Sequence, residues 1–313
     1  MKFFWTAILV LLFQEFFGFA SAKPLRPLGD GTEATSEATS EAKQSLAKEC
    51  ETRLAEFPGP RDIKLVKKAC EKVVVFDGCV SEEGRRIFHY DSISKMKGAR
   101  RILVFSMIHG DERPAGSVGR YWMERLESIQ ARNTWRVVPI LNPDGVVRGT
   151  RPNARGVDLN RNFPTRDWHK DAIQFWKTRT GSDPRRNPGD APASESETLC
   201  ALQHIKNFKP DFVVSIHTPL RVLDFDGPKD MKPPKFDYLP WKSLGHFPGS
   251  LGRFLWMDHK IPVLTAEMKE DLPRDYAPLE QLQDVIGGLV ALDRSTDPKE
   301  IEVSGSVYSP EPN

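Results

Sequence analysis

The feature that most constrains the fold of this chain is an almost unbroken apolar run, residues 102–108, which ends at the tetrapeptide HGDE. A short, continuous apolar run predicts a β-strand buried on both faces, as in a parallel sheet flanked by helices. In such sheets, functional groups collect at the carboxyl ends of the strands. His109 and Glu112 therefore stand where a ligand or a metal ion would be held.

The segments on either side of this run alternate between strand-like and helix-like patterns. Further strands are predicted at residues 73–76, 86–90, 137–141, 212–216 and 261–264, and helices at 44–57, 63–70, 116–131, 248–257 and 279–292, with one more helix that Ser194 or Ser196 caps and that reaches Phe208. Residues 142–145 predict a turn, and residues 148–163 predict a loop just beyond a strand end. The alternation predicts an α/β fold with a mixed, largely parallel central sheet and helices on both faces.

The two ends of the 313-residue chain differ from its middle. Residues 1–22 combine Lys2, an apolar run and a small-residue site, which predicts an export signal and a periplasmic or secreted protein. The run is shorter than the roughly 20 residues that span a bilayer, so no stable membrane anchor is expected. After this signal, the sequence predicts a disordered leader at 23–43, a folded domain at 44–298 with a helical cover at 44–72, and a flexible tail at 299–313.

Charge and cysteine content narrow the class of partner. A formal net charge of +2 is too small to indicate a nucleic-acid partner. Arginines concentrate in residues 148–166, which suits either an anionic ligand or a solvated surface. The four cysteines lack the CxxC spacing of many zinc sites. A disulfide is expected among Cys50, Cys70 and Cys79, whereas Cys200 is expected simply to be buried on an apolar helical face.

A third candidate ligand stands at the end of another predicted strand. The pair His109 and Glu112 is common by chance, so it needs such a ligand to be meaningful. His217 follows the strand at 212–216 and completes a set of two imidazoles and one carboxylate. These are the usual ligands of a catalytic zinc ion whose fourth position stays open for water. The sequence therefore predicts one zinc ion.

Hydrolysis at such a centre also needs a base and a fixed positive charge. Glu267, at the end of its own predicted strand, is the best candidate for the general base and acid, whereas Glu270 and Asp271 lie in a charged turn. Arg151 is the first candidate for stabilising a developing oxyanion, and Arg148 is the alternative.

The ordered motifs HGDE, NPDG, RPNARGVDLNRNFP, SIHTP and TAE resemble those of the zinc metallocarboxypeptidases, the relatives of carboxypeptidases A and B, over roughly residues 81–270. The resemblance implies the family's fold and a role for each matching residue. The implied roles are zinc ligands for His109, Glu112 and His217, general base for Glu267, electrophile for Arg151, capture of the substrate's terminal carboxylate for Asn160 and Arg161, and orientation of His109 for Asp158.

Within that family the chain most resembles the bacterial murein peptide amidases, through HGDE, PASESET, SIHTPLRVLDFDGP and PGSLGRF before IPVLTAE. Asp224 and Asp226 in the third motif suit the ammonium group of a diamino acid, or form a solvated acidic turn. Two departures stand out. The familiar murein amidases lack an export signal, and the tyrosine that classical carboxypeptidases place before the base is replaced here by residues 244–246.

The resemblance implies an exported zinc-dependent peptidase or amidase. Its substrate would be a peptidoglycan stem peptide, cut between γ-D-glutamate and meso-diaminopimelate, with Glu267 as base and acid. Two alternatives stay open: a general metallocarboxypeptidase that releases C-terminal L-amino acids, and a non-catalytic cell-wall-binding protein. The second alternative predicts the loss of a ligand or of the base, yet all of them are present. The oligomeric state is not indicated.

Overall fold

The computed structural model of the protein describes residues 34–229, 231 and 234–292. The chain divides into two units between Ser40 and Glu41, and the sheet and site described below lie in the second. The strands are β1 (Val74–Val80), β2 (Arg86–Ser92), β3 (Arg101–Phe105), β4 (Thr134–Val138), β5 (Phe212–His217), β6 (Val222–Asp226) and β7 (Val263–Glu267). They form one sheet in the order β1-β2-β4-β3-β5-β7-β6.

The middle of the sheet is parallel and its margins are antiparallel. Strands β4, β3, β5 and β7 are parallel neighbours, whereas β1 and β2 on one side and β6 on the other run antiparallel to their neighbours. This arrangement confirms the predicted mixed, largely parallel sheet. It also places the carboxyl ends of β3, β5 and β7 side by side at one edge.

Helices cover both faces of the sheet. They are α1 (Ala34–Ala55), α2 (Ile63–Cys70), α3 (Arg113–Ser128), α4 (Pro143–Arg148), α5 (Ile173–Arg179), α6 (Ser196–Phe208) and α7 (Ala277–Leu292), with π-helical segments at Trp168–Ala172 and Arg253–Asp258. Ile102 and Val104 of β3 belong to the core that includes α3 and α7. Leu103 and Phe105 belong to the core that includes α6. The strand is thus buried on both faces, as predicted, because alternate residues serve different cores.

Strand β3 is shorter than the predicted strand at 102–108. It ends at Phe105, and Met107 has a positive φ of 51°. Ser106 and Met107 stay beside the segment that follows β4, since their carbonyls accept from the N–H groups of Leu141 and Asn142, and the chain then bends at residues 108–109. His109 therefore lies in a bend and does not directly follow the strand.

Two predictions about where helices begin are also wrong. Residues 142–145 do not form a simple turn: Asn142 caps α4, with its Oδ1 accepting from the N–H of Gly145, and Pro143 occupies the first helical position. The N-cap position of α6 is Glu195, so neither Ser194 nor Ser196 caps that helix.

The predicted boundaries at the chain ends are tested only where residues are described. The leader at 23–43 was predicted to be disordered, but α1 begins at Ala34. Its repeat is rich in Ala and Glu, which favour helix even where no apolar face is buried. The export signal at 1–22, the domain end at 298 and the tail at 299–313 lie outside the described residues. Among the helices that the structure describes, none has the length and apolar character to cross a membrane.

Both pairs of cysteines form disulfides. Cys50–Cys70 joins α1 to α2, in agreement with the expected bridge among the first three cysteines. Cys79–Cys200 joins β1 to α6, so the expectation that Cys200 is merely buried is wrong. The two cysteines are 121 residues apart, and local sequence patterns do not show that α6 packs against β1.

Candidate functional site

Three predicted ligands converge at the carboxyl edge of the sheet. Nδ1 of His109 lies 3.1 Å from Nδ1 of His217. The two carboxylate oxygens of Glu112 lie 2.7 Å from His109 Nδ1 and 2.9 Å from His217 Nδ1. All three side chains are buried. We call His109, Glu112 and His217 the metal centre.

The sheet brings these residues together from distant parts of the sequence. His217 is the last residue of β5, and β5 is the parallel neighbour of β3. His109 follows the bend after β3, and Glu112 is the N-cap residue of α3. The local HGDE motif therefore supplies two members of the group, and the edge of the parallel sheet brings His217 beside them.

The outward nitrogens of both imidazoles have partners of their own. Nε2 of His109 is 3.0 Å from Oδ1 of Asp158, and Nε2 of His217 is 2.8 Å from Oγ of Ser215. Such partners orient a ligating ring and keep its other nitrogen free for a metal. Ser215 was not predicted, although its position two residues before His217 on the same strand places it on the same face.

The donor set fits zinc. Each Nε2 atom already has a side-chain oxygen partner, so the two Nδ1 atoms that face each other are the nitrogens available to a metal. A tetrahedral zinc ion with bonds of about 2.0–2.1 Å separates two nitrogen ligands by roughly 3.3 Å, close to the spacing found here. Burial opposes a charge on Glu112, but the neighbouring imidazoles His109 and His217 lower its pKa below the usual range, so it is a carboxylate.

Arg151 and Asp158 extend the metal centre into a charged network. Nε and Nη2 of Arg151 each donate to Oδ2 of Asp158 at 3.0 Å, and Nη1 donates to Oε1 of Glu112 at 3.4 Å. Burial of Asp158 opposes its charge, but Arg151 and His109 hold its pKa well below the usual value. Asp158 thus joins the arginine to the ligand histidine, and every negative charge here has a positive neighbour.

Glu267 stands beside the metal centre on the next strand. It is the last residue of β7, and its Cα pairs with that of His217 across the parallel ladder. Paired residues of neighbouring strands project from the same face. One carboxylate oxygen accepts from the N–H of Leu220 at 3.3 Å. By contrast, the alternative acids Glu270 and Asp271 are exposed.

Arg161 is a buried cation without a carboxylate partner among the described residues. Arg161 is 9% exposed, and its Nη1 donates to the carbonyl of Asn160 at 2.6 Å. The guanidinium lies 4.7 Å from the ring centre of Phe247. Asn160 uses Oδ1 to accept from the N–H of Leu251 at 2.9 Å. A cation in this condition suits an anionic group supplied by a ligand.

The structure does not bring Arg148 into this group. Arg148 lies in the last turn of α4, and its guanidinium binds Glu83 and the carbonyl of Ala154. Its side chain is 44% exposed, and neither of these partners belongs to the metal centre. Its predicted roles as substrate ligand or alternative electrophile thus have no geometric support.

Asp224 and Asp226 lie on β6, a strand that the sequence did not predict. Val222, Asp224 and Asp226 pair in turn with Glu267, Thr265 and Val263 of β7. Both acids are buried, so the interpretation as a solvated acidic turn is wrong. Burial raises the pKa of Asp224, and burial together with the Asp224 charge raises that of Asp226 to about 6.

We call Asp224 and Asp226 the β6 pair. The pair lies on the same face of the sheet as Glu267. Asp224 and then Asp226 lie progressively farther from Glu267 along the two paired strands. The only basic partner near the pair in the described part of the chain is His246, whose Nδ1 lies 3.4 Å from Oδ1 of Asp226. Gly252 leaves room for this carboxylate, because a Cβ added there would lie 2.5 Å from Oδ2 of Asp226.

Comparison with known proteins agrees with this geometry. The family model for zinc carboxypeptidases (peptidase M14) matches residues 63–235. Murein peptide amidase A of Escherichia coli K12 is 36% identical over 124 residues, which cover 39% of this chain and 50% of that protein. The enzyme of the same name from Vibrio campbellii is 28% identical over 185 residues, covering 56% of this chain and 72% of its own length.

The aligned part of this chain spans half the length of the E. coli relative. Among solved structures, carboxypeptidase A of Helicoverpa armigera shares the fold, with a TM-score of 0.57 and 17% identity over 83% of this chain and 82% of its own. The family and the donor set both indicate one zinc ion as cofactor. The chain belongs to the zinc carboxypeptidase family.

Proposed function

We propose that the protein is a zinc-dependent hydrolase that cuts peptidoglycan stem peptides between γ-D-glutamate and meso-diaminopimelate. The observation that carries this proposal is the convergence of His109, Glu112 and His217 beside Glu267, at the edge of the sheet where Arg151 also lies. A bound zinc ion would supply Lewis-acid activation of a water molecule and of the substrate carbonyl. A non-catalytic wall-binding protein would have no need of this arrangement.

The chain's own residues divide the remaining work. Glu267 takes a proton from the attacking water and returns it to the leaving amine, because it is the buried carboxylate next to His217 that is not committed to another cation. Arg151 supplies positive charge to the developing oxyanion from its place against Glu112. Asp158 keeps the ring of His109 in the orientation that ligation needs.

Two buried groups support a substrate that carries both a negative and a positive charge. Arg161, buried and without a carboxylate partner among the described residues, and Asn160 would hold a carboxylate of the substrate. The β6 pair would hold an ammonium group, because Asp224 lies one strand step of about 7 Å beyond the position that pairs with Glu267. At the end of the stem tripeptide, meso-diaminopimelate offers a terminal carboxylate and, on its side chain, an ammonium group. The printed name of the matching relatives, murein peptide amidase A, refers to the same class of substrate.

A periplasmic or secreted location goes with this proposal. Peptidoglycan lies outside the cytoplasmic membrane, and residues 1–22 have the pattern of an export signal. The disulfides Cys50–Cys70 and Cys79–Cys200 are typical of proteins that fold in an oxidising compartment. The modest net charge of +2 gives no reason to expect a nucleic-acid partner.

Product analysis on defined peptides tests the proposal. The zinc-loaded protein is incubated with L-Ala-γ-D-Glu-meso-diaminopimelate and, separately, with a set of dipeptides that end in L-amino acids. Mass spectrometry should detect free meso-diaminopimelate from the first substrate and little product from the second set, and a chelator should abolish both. Faster cleavage of the dipeptides would identify a general carboxypeptidase instead. Release of L-alanine alone would place the cut at the wrong bond.

A further inference from the structure

A cluster of buried polar side chains lies behind the segment that carries Arg151 and Asp158. Nδ2 of Asn153 donates to Oε2 of Glu195 at 2.8 Å and to Oε2 of Glu197 at 3.0 Å. Asn153 is 2% exposed, and both glutamates are fully buried. We call these three residues the Asn153 cluster. None of them contacts the metal centre.

Asn153 also shapes the backbone between Arg151 and Asp158. Its Oδ1 accepts from the N–H groups of Arg155 and Val157 at 3.1 and 3.0 Å. Its own N–H donates to the carbonyl of Val157 at 3.0 Å. These bonds close a tight turn, so the positions of the flanking arginine and aspartate depend on where Asn153 is fixed.

Glu195 connects this turn to the second substrate-binding segment. Its N–H donates to Oδ1 of Asn162 at 3.3 Å, and Asn162 directly follows Arg161. Oε1 of Glu195 accepts from Oγ of Ser194 at 2.6 Å. Through Asn153 and Asn162, one glutamate therefore touches both segments that carry the proposed oxyanion and carboxylate ligands.

Glu197 is a second buried carboxyl at the same donor. Oε1 of Glu197 accepts from the N–H of Glu82 at 3.3 Å, and burial raises the pKa of Glu197 to about 7. The charged groups around it are Glu195, the exposed Glu82, and Arg155, whose Nε is 3.5 Å from Glu195 Oε2. Two ionised carboxylates would here share the amide donor of Asn153, while the half-exposed Arg155 lies against Glu195, and burial makes the second charge unfavourable.

We propose that Glu195 and Glu197 are positioning residues that act through Asn153 on Arg151 and Asp158, and that the cluster holds this segment best while Glu197 carries a proton. Loss of the proton places two negative charges side by side and weakens the hold on Asn153. The turn then loosens, and with it the support that Asp158 gives to His109. The catalytic part of this inference rests on the proposed function, whereas the effect on zinc retention does not.

The test compares Glu197→Gln with Glu82→Gln. The first variant keeps an oxygen acceptor for Asn153 but cannot ionise. The second makes the same change on an exposed member of the group that bonds the N–H of Ser196 and does not touch Asn153. Three properties are measured from pH 6 to pH 8.5: the rate of zinc loss to a chelator, hydrogen exchange of the peptide spanning residues 149–158 divided by the exchange rate of an unstructured peptide at the same pH, and kcat and KM for the muropeptide.

In the wild type and in Glu82→Gln, zinc loss and exchange should rise above about pH 7, as Glu197 ionises. In Glu197→Gln both should stay nearly flat, and the ratio of its kcat to the wild-type kcat should grow about three- to tenfold between pH 6 and pH 8.5, with little change in KM. Identical pH dependence of zinc loss and exchange in all three proteins would overturn the proposal.

Asn153→Ala removes the link itself. It should raise zinc loss and exchange at every pH and lower kcat more than it changes KM. A melting curve shows whether this variant folds, and if it does not, the comparison of the two glutamine variants stands without it. If no variant, including wild type, hydrolyses any peptide, the proposed function fails, while zinc loss and hydrogen exchange still decide the role of the cluster.

Discussion

The metal centre with its neighbour Asp158, and the β6 pair, both contain buried acids, yet the pKa values of these acids are shifted in opposite directions. In the metal centre, Glu112 lies against two imidazoles and Asp158 lies against Arg151, and the pKa of each acid is lowered. In the β6 pair, burial raises the pKa of both acids, and the charge of Asp224 raises that of Asp226 further; His246 is the only basic partner in the described part of the chain.

This difference shows that buried acids of one protein can serve two purposes. Acids with internal counter-charges are held ready to bind a metal or to orient its ligands. Acids without them are costly unless a ligand brings a cation. The same reasoning applies with opposite sign to Arg161, a buried cation that pairs with no carboxylate of the described residues.

The largest expected effect is at the base. Glu267→Gln should lower kcat by about 1000-fold, because the amide cannot accept the proton from water. Zinc content should stay at one ion per chain, since Glu267 is not a ligand. Steady-state kinetics and metal analysis check both statements. The matched control is Glu270→Gln, a nearby exposed residue that should retain wild-type activity. Equal activity of the two variants would remove Glu267 from the mechanism.

The next effect is at the unpaired cation. Arg161→Ala should reduce kcat/KM by about 10- to 100-fold, the usual range for losing hydrogen bonds to a charged group. Arg148→Ala is the control, because Arg148 is exposed and binds Glu83. It should change kcat/KM less than about twofold. If Arg148→Ala proved the more damaging substitution, the assignment of the two arginines would have to be reversed.

The β6 pair should affect selectivity more than overall rate. Asp224→Asn and Asp226→Asn should each lower kcat/KM for the diaminopimelate peptide by about tenfold. This corresponds to a loss of ~1.4 kcal/mol in transition-state binding. Neither should lower kcat/KM for a peptide in which norleucine replaces the diamino acid. Competition between the two peptides measures this directly. The exposed Asp237→Asn serves as control. A parallel loss for both peptides would show that the pair is structural.

The smallest effect is on stability. The pKa of Asp226 is raised in the folded protein to about 6, so the folded state binds more protons than the unfolded state between about pH 4 and pH 6. The stability from this group is fully present below its unfolded pKa and is lost as the pH rises through about 6. Asp226→Asn should remove that part of the pH dependence, which corresponds to a few degrees in Tm. Calorimetry at pH 4 and pH 7 tests this, and an unchanged slope would contradict it.

The sequence predicts the metal centre because the alternation of strands and helices is enough to indicate which strand ends lie together. His109 and His217 each follow an apolar run, and runs of that kind become neighbouring parallel strands whose ends meet. The burial of β3 on both faces follows from the same pattern. These predictions need only the alternation of strands and helices.

Other features depend on packing that local patterns do not carry. Asp224 and Asp226 belong to a strand, but acids in a short segment resemble a turn until the neighbouring strand is known. The bridge between Cys79 and Cys200 requires the contact of β1 with α6. The direction of Arg148 is set by the short helix α4, which the sequence presents as a turn.

The most direct measurement of the central claim is zinc titration of the metal-free protein, followed by release of meso-diaminopimelate from the muropeptide. The account predicts that activity rises in proportion to added zinc and stops rising at one ion per chain, and that His217→Ala shows no such rise. Release that is independent of zinc, or that continues to rise well beyond one ion per chain, would contradict it.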